Sequence, residues 1–422
     1  MTRRTAIVGL ISGIAGAEEP PAPDPQLFFE AIGSDNGAAR RALDALSSQW
    51  RDSYAIILLE LLRTVVRDRP GDSPGTPSPA SAARNRIFDY LGSRTKKGFG
   101  TDSKAWNRWA WALPYDPHPD YARLKGFLYS KIDPRMAEFF PEGVRSNIRL
   151  DQVEWGGVRV NGIPPLVNPA TIPAAEAKYL KDSNVVFGIE IGNEARAYPK
   201  RILAWHEMAR DRIGGVDLAI VYCTLCGTVI PYRTEVDGRR FVFGTSGLLF
   251  ESSKLMFDEE TKSLWSTLQG RPVIGRLASE KLQLAFEPVV TTTWGEWKQD
   301  HPATTVLSLD TGHERDYSEG AAYRDYFDTD ELMFQVSRMD RRLKNKDEIL
   351  AIRLPGKTPL AIAAKFLRRR PEFTLEHEGV ALTIRTSKGG ANVVSAGGKR
   401  IPAHRAFWFG WWSQYSDSRV IH

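Results

Sequence analysis

The sequence predicts an α+β protein in which an N-terminal all-α domain is followed by a β-rich mixed domain with short surface helices. Between residues 36 and 66, apolar side chains recur at the spacing of amphipathic helices. After residue 145, short apolar or alternating runs are separated by glycine, as in β-strands. The chain has 422 residues, 42% of them hydrophobic, and is long enough to bury a sizeable core in two or three domains.

Changes in composition mark the predicted domain boundaries. Residues 1–17 carry two arginines near their start, at positions 3 and 4, continue in an apolar run and end in small residues, which is the order of a secretory signal peptide. Residues 18–25 form a proline-rich spacer. The helical domain is assigned to residues 26–145, resembling a helical repeat without a clear period, and the β-rich domain to residues 146–422. Helices are expected over residues 36–66, 82–91, 106–111 and 121–132, with a proline-rich loop at 70–81.

The N-terminal pattern also determines the expected location of the protein. If residues 1–17 are a signal peptide, the mature chain is periplasmic or extracellular; otherwise it is cytoplasmic. No other stretch of the sequence approaches 18 consecutive apolar residues, so we expect no transmembrane segment in the mature chain.

The β-rich domain contains the only two cysteines of the chain, Cys223 and Cys226, followed directly by Gly227. One strand is expected to lead into the pair and another to leave it, and a turn at Asp237 and Gly238 then continues the hairpin into a third strand. A thioredoxin-type CxxC begins a helix that lowers the thiol pKa, and no such helix is predicted here. The pair is therefore suited to a metal knuckle, a redox disulfide or a small structural loop. Strands are expected over residues 158–165, 185–192, 194–198, 216–222, 229–233, 241–243, 382–384 and 391–394.

The favoured interpretation is a mononuclear metal centre with Cys223, Cys226 and His206 as ligands. His206 lies near the end of a short predicted helix that precedes the strand leading to Cys223. Two thiolates and one imidazole leave a fourth position open, as in reactive sites, and suit zinc or copper better than iron. His301 and His313 are alternative ligands, and a histidine beside a tryptophan is often simply packed in the core.

An enzyme built on this centre would use the open metal position to activate water or dioxygen, or would change redox state. Glu207 or Asp258 would then assist proton transfer. Two alternatives stay open: a thiol–disulfide redox protein that uses the cysteine pair, and a non-catalytic binding or scaffolding module with a structural metal or disulfide. The first of these alternatives does not require His206 for exchange. No glycine-rich phosphate loop occurs, so no nucleotide cofactor is expected.

The charge distribution bears on binding partners. Residues 331–422 contain 17 Lys and Arg against 8 Asp and Glu, in a chain whose net charge is +6. Such a basic surface is suited to an anionic small molecule or an acidic partner, and the helical domain is suited to docking a protein. No nucleic-acid-binding motif accompanies the basic residues and acidic residues interrupt them, so no nucleic-acid partner is expected.

Several motifs occur in one order through the second half of the chain. These are Trp205-His206-Glu207, Cys223-Thr224-Leu225-Cys226-Gly227, Gly244-Thr245-Ser246-Gly247 and Phe407-Trp408-Phe409-Gly410-Trp411-Trp412. In this order they resemble the domain-of-unknown-function family DUF3179 over residues 146–422. Thr224 stands where that family usually has proline, and Phe257 where a tyrosine is common. The resemblance implies no established reaction and no catalytic residues.

Overall fold

The computed structural model describes residues 21–66 and 78–422. The chain divides into two compact units, the first formed by the described part of Met1–Thr101 with Asp116–Pro119, the second by Asp102–Tyr115 with Asp120–His422. The signal peptide predicted over residues 1–17 lies outside the described residues. Helices come first along the chain and strands follow, so the mixed α+β class is confirmed in this broad form.

The smaller unit is helical because its sequence combines capping residues with apolar stripes. Oδ1 of Asp35 accepts hydrogen bonds from the amides of Gly37 and Ala38 at 2.8 and 3.1 Å and thereby caps the second helix. Ser78 and Ser81 form a reciprocal capping box before the fourth. The helices expected over residues 36–66 and 82–91 are present as α2 (Asn36–Ser48), α3 (Ala55–Thr64) and α4 (Pro79–Thr95). They are preceded by α1 (Pro25–Ala31), which was not among the predicted helices.

The larger unit contains the other helices, all of them ten residues or shorter. The first two correspond to the helices expected over residues 106–111 and 121–132. The later ones are short connections between strands, as the sequence predicts for the β-rich region. They are α5 (Ser103–Ala112), α6 (Tyr121–Ser130), α7 (Lys200–His206), α8 (Trp294–Asp300), α9 (Arg324–Phe327), α10 (Ala364–Leu367) and α11 (Trp408–Gln414). No helix among residues 21–66 and 78–422 is long and apolar enough to cross a membrane.

The strands are short and numerous. The first twelve are β1 (Val153–Trp155), β2 (Leu166–Val167), β3 (Thr171–Pro173), β4 (Val185–Ile191), β5 (Glu194–Pro199), β6 (Met208–Ile213), β7 (Val216–Cys223), β8 (Thr228–Arg233), β9 (Glu235–Val236), β10 (Arg239–Arg240), β11 (Phe243–Phe250) and β12 (Ser253–Asp258). The others are β13 (Leu264–Ser266), β14 (Arg271–Ile274), β15 (Val289–Thr293), β16 (Thr305–Leu307), β17 (Glu348–Ile352), β18 (Leu360–Ala363), β19 (Glu372–His377), β20 (Val380–Thr386), β21 (Asn392–Ala396), β22 (Lys399–Ile401), β23 (Ala403–Phe407) and β24 (Arg419–Ile421).

These strands form five sheets of four or five strands, arranged as the blades of a five-bladed propeller, and one two-stranded ribbon. Most neighbouring strands are antiparallel. The sheet that matters most for the site has the order β2-β6-β7-β8, and one of the sheets that share a core with it has the order β23-β17-β18-β24. The remaining orders are β1-β11-β12-β13-β14, β15-β4-β5-β16-β3 and β19-β20-β21-β22, with β9 and β10 in the ribbon.

Strand β7 is buried on both faces, which explains its continuous apolar sequence. Successive side chains of a strand point to opposite sides. Ala219 and Val221 join a core cluster that contains Trp265 and Trp408, whereas Ile220 and Tyr222 join a second cluster. The strand ends at Cys223, so the cysteine pair begins where the most deeply packed strand of this sheet stops.

Two strand predictions were wrong. Residues 158–165 form a turn, because Asn161 adopts a positive φ of 51° and its side-chain and backbone groups bond Thr245 in β11. The predicted third strand of the cysteine hairpin is also displaced. The turn at Asp237 and Gly238 closes the small β9–β10 ribbon, and Phe243 begins β11 in a different sheet.

Candidate functional site at Cys223 and Cys226

The two cysteines of the chain are joined in a disulfide. Cys223 is the last residue of β7, Cys226 lies in the turn before β8, and their Cα atoms are 5.5 Å apart. The turn is closed by the pairing of Cys223 with Thr228 across the two strands. The cysteines are only 3% and 1% exposed. Strands flank the pair on both sides, as the sequence predicts, and β8 takes the place that a helix has in thioredoxin-type motifs.

Two glycines allow neighbouring segments to approach the pair closely. Gly227 has a φ of +60°, a left-handed conformation that glycine adopts at little cost, and a Cβ there would lie 2.8 Å from the Phe407 ring. A Cβ on Gly410 would lie 2.8 Å from the Cβ of Cys226. The backbone amide of Phe407 donates to the carbonyl of Cys226 at 2.8 Å, so the end of β23 is fixed to the turn.

An aromatic cover lies over the disulfide. It is formed by side chains between residues 323 and 336 that pack in one cluster with Cys223, Cys226, Leu225 and Phe407. The hydroxyl of Tyr326 donates to the backbone carbonyl of Leu225, between the two cysteines, at 2.8 Å. The members of this aromatic cover are Tyr323, Tyr326, Phe327, Leu332, Phe334 and Val336.

A buried charged pair adjoins the CxxC loop. Oε1 of Glu207 accepts hydrogen bonds from the Thr224 hydroxyl at 2.9 Å and from the Tyr323 hydroxyl at 3.2 Å. The Lys254 ammonium lies 3.4 Å from Oε2 of Glu207 and donates to the Glu207 backbone carbonyl at 2.7 Å. Burial lowers the pKa of Lys254 and raises the pKa of Tyr323, and the negative charge of Glu207 counteracts the first shift and adds to the second.

His206 does not join the two sulfurs as a ligand set. Its Nδ1 is 2.9 Å from the carbonyl of Pro164 and its Nε2 is 2.5 Å from the hydroxyl of Tyr317. Because a carbonyl only accepts, Nδ1 carries the proton and Nε2 accepts from Tyr317. Burial lowers the pKa of His206, which favours this neutral form. Within the described ranges 21–66 and 78–422, no group of three or more His, Cys, Asp and Glu side chains is placed to hold a metal ion.

The two alternative histidines lie in different places. The ring of His313 is 5.2 Å from the ring of His206, so the structure brings these two together. His301 packs instead against Trp297, with ring centroids 3.9 Å apart, and its Nδ1 is 3.7 Å from a carboxylate oxygen of Glu190.

The two candidate proton-transfer residues also differ in position. Glu207 bonds Thr224 inside the CxxC loop. Asp258 is the last residue of β12, before the turn to β13, and its carboxylate accepts from the amide and hydroxyl of Thr261 at 2.6 and 2.7 Å and from the indole of Trp265 at 3.1 Å. The structure thus places Glu207 beside the cysteines and gives Asp258 a turn-closing role.

Sequence reasoning missed Lys254 and the aromatic cover. A lysine within the apolar run of β12 is an unusual signal, because a buried lysine almost always has a partner. That signal was available and indicates a buried carboxylate nearby. No comparable local signal indicated Tyr323 and Tyr326, which come from a segment about 100 residues beyond the cysteines.

Comparison with known proteins identifies one family. The sequence model of the family described as "Protein of unknown function (DUF3179)" matches residues 160–400, more than half of the chain. The resemblance noted for the C-terminal region is thereby confirmed. No curated protein and no solved structure gives a significant match.

Proposed function

Because the chain belongs to the DUF3179 family, which carries no known reaction, we propose its function from the geometry: Cys223 and Cys226 are a reversible thiol–disulfide centre. In the oxidised form the S–S bond joins the two sulfurs. Two thiols of a donor, either a small thiol compound or a partner protein, break this bond and leave two thiols on the chain. The donor becomes a disulfide, so two electrons and two protons are transferred.

The observation that carries this proposal is the small size of the loop that the disulfide closes. Only three positions separate Cys223 from Cys226, and the pairing of β7 with β8 already holds the two ends of the turn together. By the chain-entropy relation, a loop of about four residues gains only ~2 kcal/mol from a crosslink, against ~3 kcal/mol for about fifteen residues. The disulfide therefore contributes little to the stability of the fold, which favours a chemical role over a structural one.

Glu207 is suited to move protons for this centre. Thiol–disulfide exchange proceeds through thiolates, so a buried pair needs a group that takes up and returns protons. The Thr224 hydroxyl, which lies between the cysteines in sequence, donates to Glu207 at 2.9 Å. A hydroxyl both donates and accepts, so Thr224 can relay a proton between the loop and the carboxylate. Lys254 keeps Glu207 paired in the buried site.

The aromatic cover must move before a donor thiol reaches the disulfide. Both sulfurs lie under this cover, and Tyr326 and Tyr323 attach it to Leu225 and Glu207 through single hydrogen bonds. Other hydrogen bonds hold the segment from outside, through Tyr326, Thr329, Asp330 and Gln335. Most of its residues are nevertheless half-buried or exposed, and such a surface segment opens locally at lower free energy than the core. We therefore place the access route beneath residues 323–336.

The test is a redox titration of the folded, tag-free chain in buffers of reduced and oxidised dithiothreitol, with free thiols counted by maleimide labelling. We expect the number of free thiols per chain to rise from none to two as the buffer becomes reducing and to return to none on reoxidation. The circular dichroism signal of the folded chain should persist throughout. Thiols that become reactive only in step with global unfolding would contradict the proposal.

A matched pair of variants tests the proton relay. Thr224→Val removes the hydroxyl bonded to Glu207, whereas Thr228→Val removes a similarly buried hydroxyl that bonds only the Cys226 carbonyl at 3.0 Å. We expect the first to slow reduction by at least about tenfold at neutral pH and the second to leave the rate nearly unchanged. Equal rates in both variants would show that Glu207 has no part in the proton transfer.

The metal centre predicted from sequence gives a different result with the same protein. Metal analysis of the reduced chain would then show about one zinc or copper ion per chain, lost in both Cys223→Ser and His206→Ala. Thiol–disulfide exchange does not require His206, so for the redox centre His206→Ala leaves the titration unchanged.

A further inference from the structure

A cavity of about 720 Å³ lies in the larger unit, between the β13–β14 turn, the loop after β17 and the end of α11. Its volume falls within the range of small-molecule sites, which is about 300–1,000 Å³. One half-buried cation, Arg353, lines it together with Phe286, Gln414 and Tyr415. This space is called the Arg353 cavity below.

Arg353 uses only one edge of its guanidinium. Its Nη1 donates to the backbone carbonyl of Gln269 at 3.0 Å and to the hydroxyl of Tyr415 at 3.2 Å. Its Nε and Nη2 are buried and form no hydrogen bond of regular geometry, and the hydroxyl of Tyr232, which donates to the Thr267 carbonyl at 2.8 Å, lies beside the guanidinium. Among residues 21–66 and 78–422, no carboxylate forms an ion pair with Arg353. The guanidinium lies over the ring of Phe286, 4.8 Å from its centroid.

The unused donors have the geometry of an anion site. A desolvated charge without a counter-charge is costly, and arginine cannot remove the cost by losing its proton. Nε and Nη2 lie on the same edge of the planar guanidinium, and such an edge pairs with the two oxygens of a carboxylate through parallel hydrogen bonds. Nη1 therefore holds the side chain, while Nε and Nη2 are enclosed and become a bidentate donor for a ligand once side chains at the cavity wall move aside.

The remaining lining indicates which class of anion fits. Arg271 and Lys357 also line the cavity, against the single carboxylate of Asp417, so the lining is cationic. Nε2 of Gln414 is a further buried group without a partner, while its Oε1 accepts from Ser266 at 3.0 Å. Most of the other lining residues are apolar: Leu284, Ala285, Phe286, Leu354, Pro355, Pro359, Ile401 and Pro402. A carboxylate attached to an apolar body matches both parts of this surface.

We propose that the Arg353 cavity binds a small organic acid, whose carboxylate pairs with Nε and Nη2 of Arg353 and whose apolar body contacts Phe286 and Leu284. This site is separate from the disulfide and does not rest on the redox proposal. The basic composition of residues 331–422, which contain Arg353, is consistent with an anionic ligand.

The test is isothermal titration calorimetry of the full chain with 3-phenylpropionate and octanoate, compared with the neutral 3-phenylpropionamide. We expect saturable binding of at least one carboxylate, and binding of the amide at least ten times weaker. Absence of saturable binding for both carboxylates, or equal affinity for acid and amide, would overturn the proposal.

Two substitutions at Arg353 locate the interaction. Arg353→Met should abolish saturable binding. Arg353→Lys, which keeps the charge but cannot form the bidentate hydrogen bonds, should weaken binding at least tenfold. Arg369→Met is the control, because Arg369 is an exposed arginine of the same basic region. Unchanged affinity in Arg353→Met would show that the ligand binds elsewhere and would contradict the proposal.

A cavity-filling variant keeps the test valid if substitution of Arg353 impairs folding. Ala285 is an exposed residue that lines the cavity, so Ala285→Trp fills part of the space and leaves Arg353 in place. We expect at least a tenfold loss of carboxylate affinity with little change in melting temperature. Wild-type affinity in this variant would show that the acid does not occupy the cavity.

Discussion

The cysteine site and the Arg353 cavity treat buried charge in opposite ways. At the cysteine site, Glu207 and Lys254 lie 3.4 Å apart and their polar atoms are bonded to neighbouring groups. At the cavity, Arg353 is half-buried, no carboxylate of the described residues pairs with it, and its Nε and Nη2 are enclosed without a regular hydrogen bond. A satisfied pair needs no further molecule to be stable, whereas an unsatisfied charge is stabilised only when a ligand arrives. The comparison therefore distinguishes a site whose charged groups are paired within the chain from a site whose cation is paired only by a ligand.

The largest expected effect comes from breaking the pair at the cysteine site. Lys254→Met leaves the Glu207 carboxylate buried without its cation and should lower the free energy of unfolding by ~3–5 kcal/mol. Urea denaturation followed by circular dichroism measures this. The double variant Lys254→Met/Glu207→Gln should recover part of the loss. Arg353→Met, in contrast, should leave the stability nearly unchanged or higher, and an equal loss in both single variants would remove the distinction between the two sites.

Glu251 provides a third case, because a buried acid can neutralise itself. Burial raises the pKa of Glu251 from 4.5 to about 7, although Ser337 donates to it from its amide at 2.8 Å and from its hydroxyl. The folded state thus binds this proton more tightly than the unfolded state. The stabilisation is complete below pH 4.5 and is lost as the pH rises through about 7.

This shift predicts a decrease of ~3 kcal/mol in the free energy of unfolding between pH 4.5 and about 7, attributable to Glu251 alone. Urea denaturation at a series of pH values, compared between the wild type and Glu251→Gln, isolates the contribution. Parallel pH profiles for the two proteins would show that Glu251 is ionised in the fold, and the contrast with Arg353 would then not hold.

The disulfide should contribute less to the free energy of unfolding than Lys254 or Glu251. Cys223→Ser/Cys226→Ser is expected to lose ~2 kcal/mol of stability while the fold is retained, because the crosslink closes a loop that β7 and β8 already hold. Guanidinium denaturation of the double variant and of the oxidised wild type measures this difference in the free energy of unfolding. A loss above ~4 kcal/mol would mean that the bond is a structural support of the turn, which would weaken the redox proposal.

The smallest expected effect concerns the aromatic cover. Tyr326→Phe removes one hydrogen bond, to the carbonyl of Leu225, and should cost ~1 kcal/mol. If the cover controls access, the same change should accelerate reduction of the disulfide by about fivefold, since the open form is more populated. Stopped-flow reduction by dithiothreitol measures the rate. Tyr129→Phe, which alters a buried hydroxyl in α6, serves as the control and should not change it.

Local sequence signals predicted the surroundings of Cys223 better than its chemistry. The strand before the pair was evident because β7 is buried on both faces and is therefore apolar throughout. The short helix ending at His206 was likewise evident. The partners of His206 were not, because Pro164 and Tyr317 are 42 and 111 positions away in the chain.

The Arg353 cavity could not be predicted from any local pattern. Its walls come from residues 269–286, 353–359 and 401–417, which are brought together only by the sheet topology. In sequence, Arg353 is one of many basic residues in a cationic region. Its distinguishing property is that no carboxylate in the described part of the chain pairs with it, and this property exists only once the chain has folded.

Burial of β7 on both faces has a consequence for measurements of motion in this protein. Its amide hydrogens are paired with β6 and β8, and its side chains enter two core clusters, so these amides should exchange with solvent deuterium only when the whole unit unfolds. The exchange rate of the β7 amides thus provides an internal reference for the rate of global unfolding. Amides of residues 323–336 that exchange faster than this reference would report movements of the cover alone, in the oxidised and the reduced protein alike.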